Sequence, residues 1–282
     1  MANLKAVYTK PLSSLDDLGQ QLAFYIRALV AAPAAAVRYQ KEVMRILAEV
    51  TLGSGSLAVI GGTVGVIVSM TFFTGAQVGL SGYAALDQIG TAPFAGFVSA
   101  YFNTREIAPL VAGIALAATV GCGFTAQLGA MRISEEIDAL DVMGIPSLPF
   151  LVTTRMIAAF VAVIPLYIVA LCASYLSPRL IVTLIYGQSP GTYDHYFLQF
   201  LPPIDMIWSF GKLLVLATAV ILIHCYYGYT ASGGPAGVGM AVVSGERARV
   251  VEVLDAAERL IAARPEVELL SVRRGLRRPD DD

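Results

Sequence analysis

Cysteine, histidine and tryptophan are scarce: three, two and one in a chain of 282 residues. Cys122, Cys172 and Cys225 are odd in number, form no CxxC pair and all fall inside apolar runs. That argues against a disulfide framework or a cysteine zinc site, and each reads as a small buried hydrophobe. Charge is also short, at 14% of residues against 56% hydrophobic, with a mean hydropathy of +0.69. This is membrane-protein composition. No basic patch is interleaved with exposed aromatics, so nothing points to nucleic acid. No GxxxxGK[ST] occurs, which excludes ATP hydrolysis by a P-loop. Gly237-x-Gly239 has no strand before it and no acidic residue at the distance a dinucleotide site needs. No apolar core precedes residue 20, and Asp16 and Asp17 interrupt the start, so the N-terminus does not read as a signal peptide.

The charges that exist are crowded at one end. Residues 243–282 carry 8 arginines and 9 acidic side chains. Ahead of them lie four uncharged or nearly uncharged apolar runs, 57–80, 107–131, 156–176 and 206–229. Each is long enough at ~1.5 Å per residue to cross most or all of a hydrocarbon core of ~30 Å. In the first run, Gly61/Gly65 and Gly75/Gly79 are small-xxx-small spacings that permit close helix approach. Pro165 predicts a kink in the third. Residues 81–106, interrupted by Asp87, Pro93 and Gly96, read as a loop or re-entrant piece, and 177–205 as a loop. Residues 15–50 repeat apolar positions every three or four residues with basic residues between them, the pattern of an interfacial helix broken at Pro33. Lys5, Lys10, Arg27, Arg38, Lys41 and Arg45 place that end in the cytoplasm. The expected fold class is all-α and polytopic: 1–50 interfacial, 51–242 membrane domain, 243–282 a charged tail. Within that tail, 246–263 reads as a soluble amphipathic helix.

The most distinctive stretch is Gln127 to Pro146, between the second and third runs. It holds four carboxylates in seven residues, Glu135, Glu136, Asp138 and Asp141. Charges of this density cost roughly 2.5 kcal/mol or more each in lipid, so the segment belongs at a membrane face. Ser134 is a suitable N-cap, the glutamates suit a first helical turn, and Gly144 and Pro146 stop the helix. Ile133, Ile137 and Leu140 are spaced as one apolar stripe. Two readings stand on the residues alone: a ridge that enters a groove on another protein, or a helix packed on its own bundle. An EF-hand or His/Cys metal site does not fit the spacing. At the other end of the second run, Arg105 and Glu106 read either as a mutual interfacial ion pair or as the mouth of a cavity. Lys212 reads as snorkelling and His224 as an interfacial histidine.

The run Glu-Glu-Ile-Asp-Ala-Leu-Asp-Val-Met-Gly-Ile-Pro146, followed by Arg155, resembles the signature of the MlaE/YrbE permeases. These are subunits of ABC transporters that move lipids together with MCE-domain proteins. Arg105-Glu-Ile-Ala-Pro109 and Gly233-Gly-Pro-Ala-Gly-Val-Gly239 agree with it, and Tyr226 to Gly239 looks most like the actinobacterial YrbE branch. The resemblance implies that Glu135, Glu136, Ile137, Asp138, Leu140 and Met143 form the coupling helix that enters a cleft of a separate cytoplasmic ATPase. It implies a second permease subunit, Mce partners, a lipid cavity opening outward near Arg105 and Glu106, and residence in the cytoplasmic membrane. ATP would be bound by the partner, so this chain is expected to be no enzyme and to need no cofactor of its own. The family pattern has five spans, from which this chain departs after about Val242. A passive channel or secondary carrier, and a regulatory subunit lacking the fifth span, are the alternatives.

Overall fold

The computed structural model describes residues 19–52 and 62–248, all helix and turn with no strand among them. Gly61, the first residues of the expected first span and most of the expected 246–263 helix lie outside the described residues.

The N-terminal region is three short helices, α1 (19–30), α2 (Ala32–Arg38) and α3 (Gln40–Leu52). Pro33 sits in the first turn of α2, where its missing N–H costs nothing. On α3, Val43, Ile46 and Val50 face the core while Lys41, Met44 and Arg45 face out. An amphipathic helix docks in this way.

Four described helices are long and apolar enough to cross a membrane: α4 (Thr63–Gln88), α5 (Ala92–Ile133), α7 (Leu148–Ile185) and α9 (Pro203–Tyr229). Each exceeds the hydropathy-based expectation. The expected loop or re-entrant piece at 81–106 is instead the end of α4, a tight turn, and the start of α5. Asp87 closes α4 through a Schellman turn: Thr91 N donates to the Leu86 carbonyl at 2.8 Å and Gly90 N to that of Asp87 at 3.0 Å, with Gly90 at φ +71°. Pro93 opens the next helix rather than breaking one. The expected 177–205 loop likewise resolves into the end of α7, a turn at Gly187 and α8 (Pro190–Gln199). At 42 residues, α5 is about 63 Å long, twice the hydrocarbon thickness. Its N-terminal turns, with α8 and the ends of α4 and α7, therefore stand beyond the spanning layer. Tyr83 stacks on Tyr186 there with ring centroids 4.1 Å apart.

Small residues decide how the spans meet. A Cβ on Gly75 would lie 2.8 Å from the Ser174 carbonyl oxygen, and one on Gly79 2.8 Å from Pro178 Cα. The predicted 75/79 spacing is thus the surface on which α4 rides α7. Pro178, inside α7, has no N–H to give the Ser174 carbonyl. Asn103 of α5 replaces it, its Nδ2 donating to that oxygen at 3.0 Å. One proline thereby fixes three spans.

After α9, Gly233 and Gly234 at positive φ reverse the chain into α10 (Gly234–Ala248). This helix is continuous through 242–243, where a change to a separate charged tail was expected. Val238 fills the space over Gly129, and the His224 ring lies between Gly121 and Gly245. So α10 turns back along α5 and α9 into the bundle. Its 15 described residues reach about 22 Å, short of a full crossing. His224 is fully buried rather than interfacial, hydrogen-bonded through Nδ1 to Thr125 Oγ1 at 2.9 Å. Of the cysteines only Cys225 is buried; Cys172 is exposed on the helix surface.

Candidate functional site

The acidic segment joins the C-terminus of α5 to the N-terminus of α7. Its helix, α6 (Glu136–Val142), starts one residue later than Ser134 would set it. Ser134 does not cap α6. Its Oγ donates back to the Ala130 carbonyl at 3.0 Å, satisfying the end of α5. Glu135 then makes the reversal at φ +60°, the left-handed region that non-glycine residues seldom occupy. Because the helix breaks there, Ile133 belongs to α5 and never forms one stripe with Ile137 and Leu140.

The consequence is an inversion of the expected ridge. Ile137 is 0% exposed and lies within the chain's own core, with Leu140 packed against the same cluster. These two residues hold α6 to the bundle instead of presenting it. The outward face is Glu135, Glu136, Asp138, Ala139, Val142 and Met143, with Val142 89% and Met143 65% exposed. Val142 and Ala139 were not singled out by sequence. A helical wheel started at Glu136 with Ile137 turned inward puts Val142 opposite and would have found it.

Short ties clamp α6 at both ends. Arg132 of α5 reaches Asp138 Oδ1 at 2.7 Å. A second Schellman turn ends the helix, with Ile145 N donating to the Leu140 carbonyl, Gly144 N to that of Asp141, and Gly144 at φ +76°. Asp141 Oδ1 accepts from Ser147 N at 3.2 Å, and Ser147 Oγ shares a 2.8 Å hydrogen bond with Tyr229 Oη at the end of α9. The helix is a rigid link between α5 and α7, steadied by α9.

The second candidate group lies at the opposite end. Arg105 and Glu106 occupy a π-helical turn of α5, Asn103–Ile107. They do not pair with each other. Arg105 Nε donates to Asp205 Oδ2 at 2.8 Å, and Lys212 Nζ donates to Glu106 Oε1 at 2.8 Å and to the Arg105 carbonyl at 2.9 Å. Both acceptor–donor pairs bridge α5 to α9, so Lys212 is an ion-pair partner rather than a snorkelling lysine. The Arg105 guanidinium also covers the Tyr101 ring at 4.3 Å. Beside this turn, Val78, Gly82 and Leu86 of α4 and Val98, Phe102 and Ile107 of α5 line an apolar groove of about 380 Å³. Further out, Arg179 holds Asp194 by two hydrogen bonds of 2.8 and 2.9 Å, which keeps that carboxyl below its usual pKa.

Comparison with known proteins decides the family. The profile of permease MlaE matches residues 54–256, most of the chain and all of α4 to α10. The chain belongs to the MlaE permease family. The match continues past Val242, so this MlaE permease follows its family through α10. Over 179 residues it is 31% identical to a probable ABC transporter permease protein of Rickettsia bellii, covering 64% of this chain and 69% of that one. It is 29% identical over 182 residues to the protein TRIGALACTOSYLDIACYLGLYCEROL 1, chloroplastic, of Arabidopsis thaliana, covering 64% of this chain and 52% of that one. A probable ABC transporter permease protein of Synechocystis is 30% identical over 136 residues, 48% of this chain and 52% of the relative. This MlaE permease is a multi-pass membrane protein.

Proposed function

We propose that this permease is the membrane half of an ABC lipid transporter and that α6 docks its ATPase. One observation carries the reading: the exposed Val142–Met143 ridge, flanked by Glu135, Glu136 and Asp138, sits on a helix that its own core grips from behind through Ile137. A short apolar ridge with an acidic border, held rigidly, suits a partner groove with a basic rim. The nucleotide belongs to that partner. Closure of the ATPase pushes α6, and because α6 is tied to α5 and α7, the push becomes a tilt of two spans. The α6 end faces the cytoplasm of a cytoplasmic membrane, as does the N-terminus, and the Arg105 end faces outward.

Lipid as cargo is supported by the name of the Arabidopsis relative, which is that of a galactolipid, and by the apolar groove between α4 and α5. An acyl chain in the groove would bring a headgroup to the Arg105–Glu106 turn, where the ion pairs to Asp205 and Lys212 must open or exchange. A second permease subunit would close the cavity, and Mce proteins would take or supply lipid outside. The test is co-purification from native membranes with Val142→Asp and Met143→Asp combined. An ATPase captured by the wild-type permease and lost from the double variant, with the permease still monodisperse, is the expected result. Equal capture by both would remove α6 as the docking element.

A further inference from the structure

At the depth of the second helical turn above α6, one charged side chain is buried without a carboxylate against it. Arg155 of α7 is 4% exposed. Its Nη1 donates to the Leu151 carbonyl at 2.9 Å, its Nη2 to Gln127 Oε1 at 3.4 Å, and its Nε has no partner. The guanidinium also lies 5.9 Å from the Phe124 ring centre and 3.9 Å from Met131 Sδ. A buried guanidinium needs a counter-charge. One counter-charge is linked to it through an amide: Gln127 of α5 uses its other end, Nε2, to donate to Glu49 Oε1 of α3. The amide is thus polarised from both sides, its oxygen toward a cation and its nitrogen toward an anion. Such chains strengthen cooperatively in a low-dielectric setting.

The positions matter more than the strength. Gln127 is on the span entering α6 and Arg155 on the span leaving it, while Glu49 is on the amphipathic helix beside the bundle. We propose that Glu49, Gln127 and Arg155 form a relay that couples displacement of α6 to the interfacial helix α3, so that α3, α5 and α7 move as one body. This rests on the docking role of α6. All three are positioning residues. The relay is reinforced where α1 meets α7, through Thr153 Oγ1 donating to the Ala28 carbonyl at 3.2 Å. Glu49 is half-buried, so Glu49→Gln keeps the shape and removes only the charge.

The experiment is hydrogen exchange of α3 amides, 40–50, in the full-length permease in nanodiscs, alone and with its ATPase. Glu49→Gln and Arg155→Gln should each raise α3 exchange in the permease alone while leaving ATPase capture intact. ATPase docking should change α3 protection in the wild type and not in either variant, and lipid transfer should fall about tenfold with ATP hydrolysis retained. The double variant should be no worse than either single one, because the residues act as a unit. If Arg155→Gln is not recovered folded, Glu49→Gln alone decides. Equal α3 protection changes in wild type and variants, with ATPase bound to all, overturn the relay and leave the docking reading standing. No ATPase bound to the wild type overturns both.

Discussion

The two ends of this bundle handle charge in opposite ways. At the Arg105 end, opposite charges meet across elements: Arg105 with Asp205, Lys212 with Glu106, Arg179 with Asp194. Along the α6 segment, Arg132 to Asp141, one basic residue, Arg132, stands with four carboxylates and is ion-paired to Asp138 alone. The first arrangement closes on itself. The second leaves a net acidic, partly apolar surface on a rigid support. Unbalanced charge on a helix whose interior face is fully packed is a surface that something else completes.

Substitutions can break the contrast between the packed and presented faces of α6. The largest effect is expected for Ile137→Asp. It puts a carboxylate where no water or partner reaches, so the permease should fail to give a monodisperse peak on size-exclusion chromatography. Ile137→Ala should fold but lose about 2–5 kcal/mol, read as a lowered midpoint of thermal unfolding in detergent. Met143→Asp, six residues on and exposed, should leave that midpoint unchanged. Equal loss for Ile137 and Met143 variants would erase the distinction between the two faces.

Next in size is the α4–α7 contact. Gly79→Ala places a methyl against Pro178 backbone, which cannot rotate away, and should cost about 1–3 kcal/mol in the same assay. Smaller, and of opposite sign, are two left-handed positions bracketing α6. Gly144→Ala should destabilise by about 1 kcal/mol, whereas Glu135→Gly should be neutral or stabilising because it removes the side-chain penalty at φ +60°. Stability and docking should then separate, with Glu135→Gly folding well and binding the ATPase more weakly.

The smallest effect sharpens the other end. Asp194 has a depressed pKa in the folded protein through its hydrogen bonds from Arg179. Its contribution is therefore full above the ordinary carboxylate range and lost as pH falls through the lower folded value. Both side chains are about two-fifths exposed, so the loss is slight. Arg179→Gln should flatten the acid limb of the stability curve below about pH 4.

Much of this was legible in the sequence, and the rest failed for identifiable reasons. The four spans and the 75/79 glycine contact follow from apolar length and small-residue spacing, which are local properties. Span ends did not, because hydropathy registers the apolar middle while turns at Gly90 and Gly187 end the helices well beyond it. The α6 segment was visible from its charges, but its facing was not. Ser134 resembles an N-cap, and no propensity rule places glutamate at positive φ, so the break at Glu135 was hidden and the stripe was drawn through it. The partners of Arg105 and Glu106 lie about a hundred residues away on α9, beyond any spacing rule. Likewise, Asn103 serves a carbonyl orphaned by a proline in another helix.

The central claim is that the outward face of α6 meets an ATPase while its inward face meets only this chain. A photo-crosslinking side chain at Met143, activated in native membranes, tests it most directly. The account predicts one major adduct containing a nucleotide-binding ATPase, absent when the same group is placed at Leu140. An adduct confined to the permease itself, or none at Met143, would contradict it.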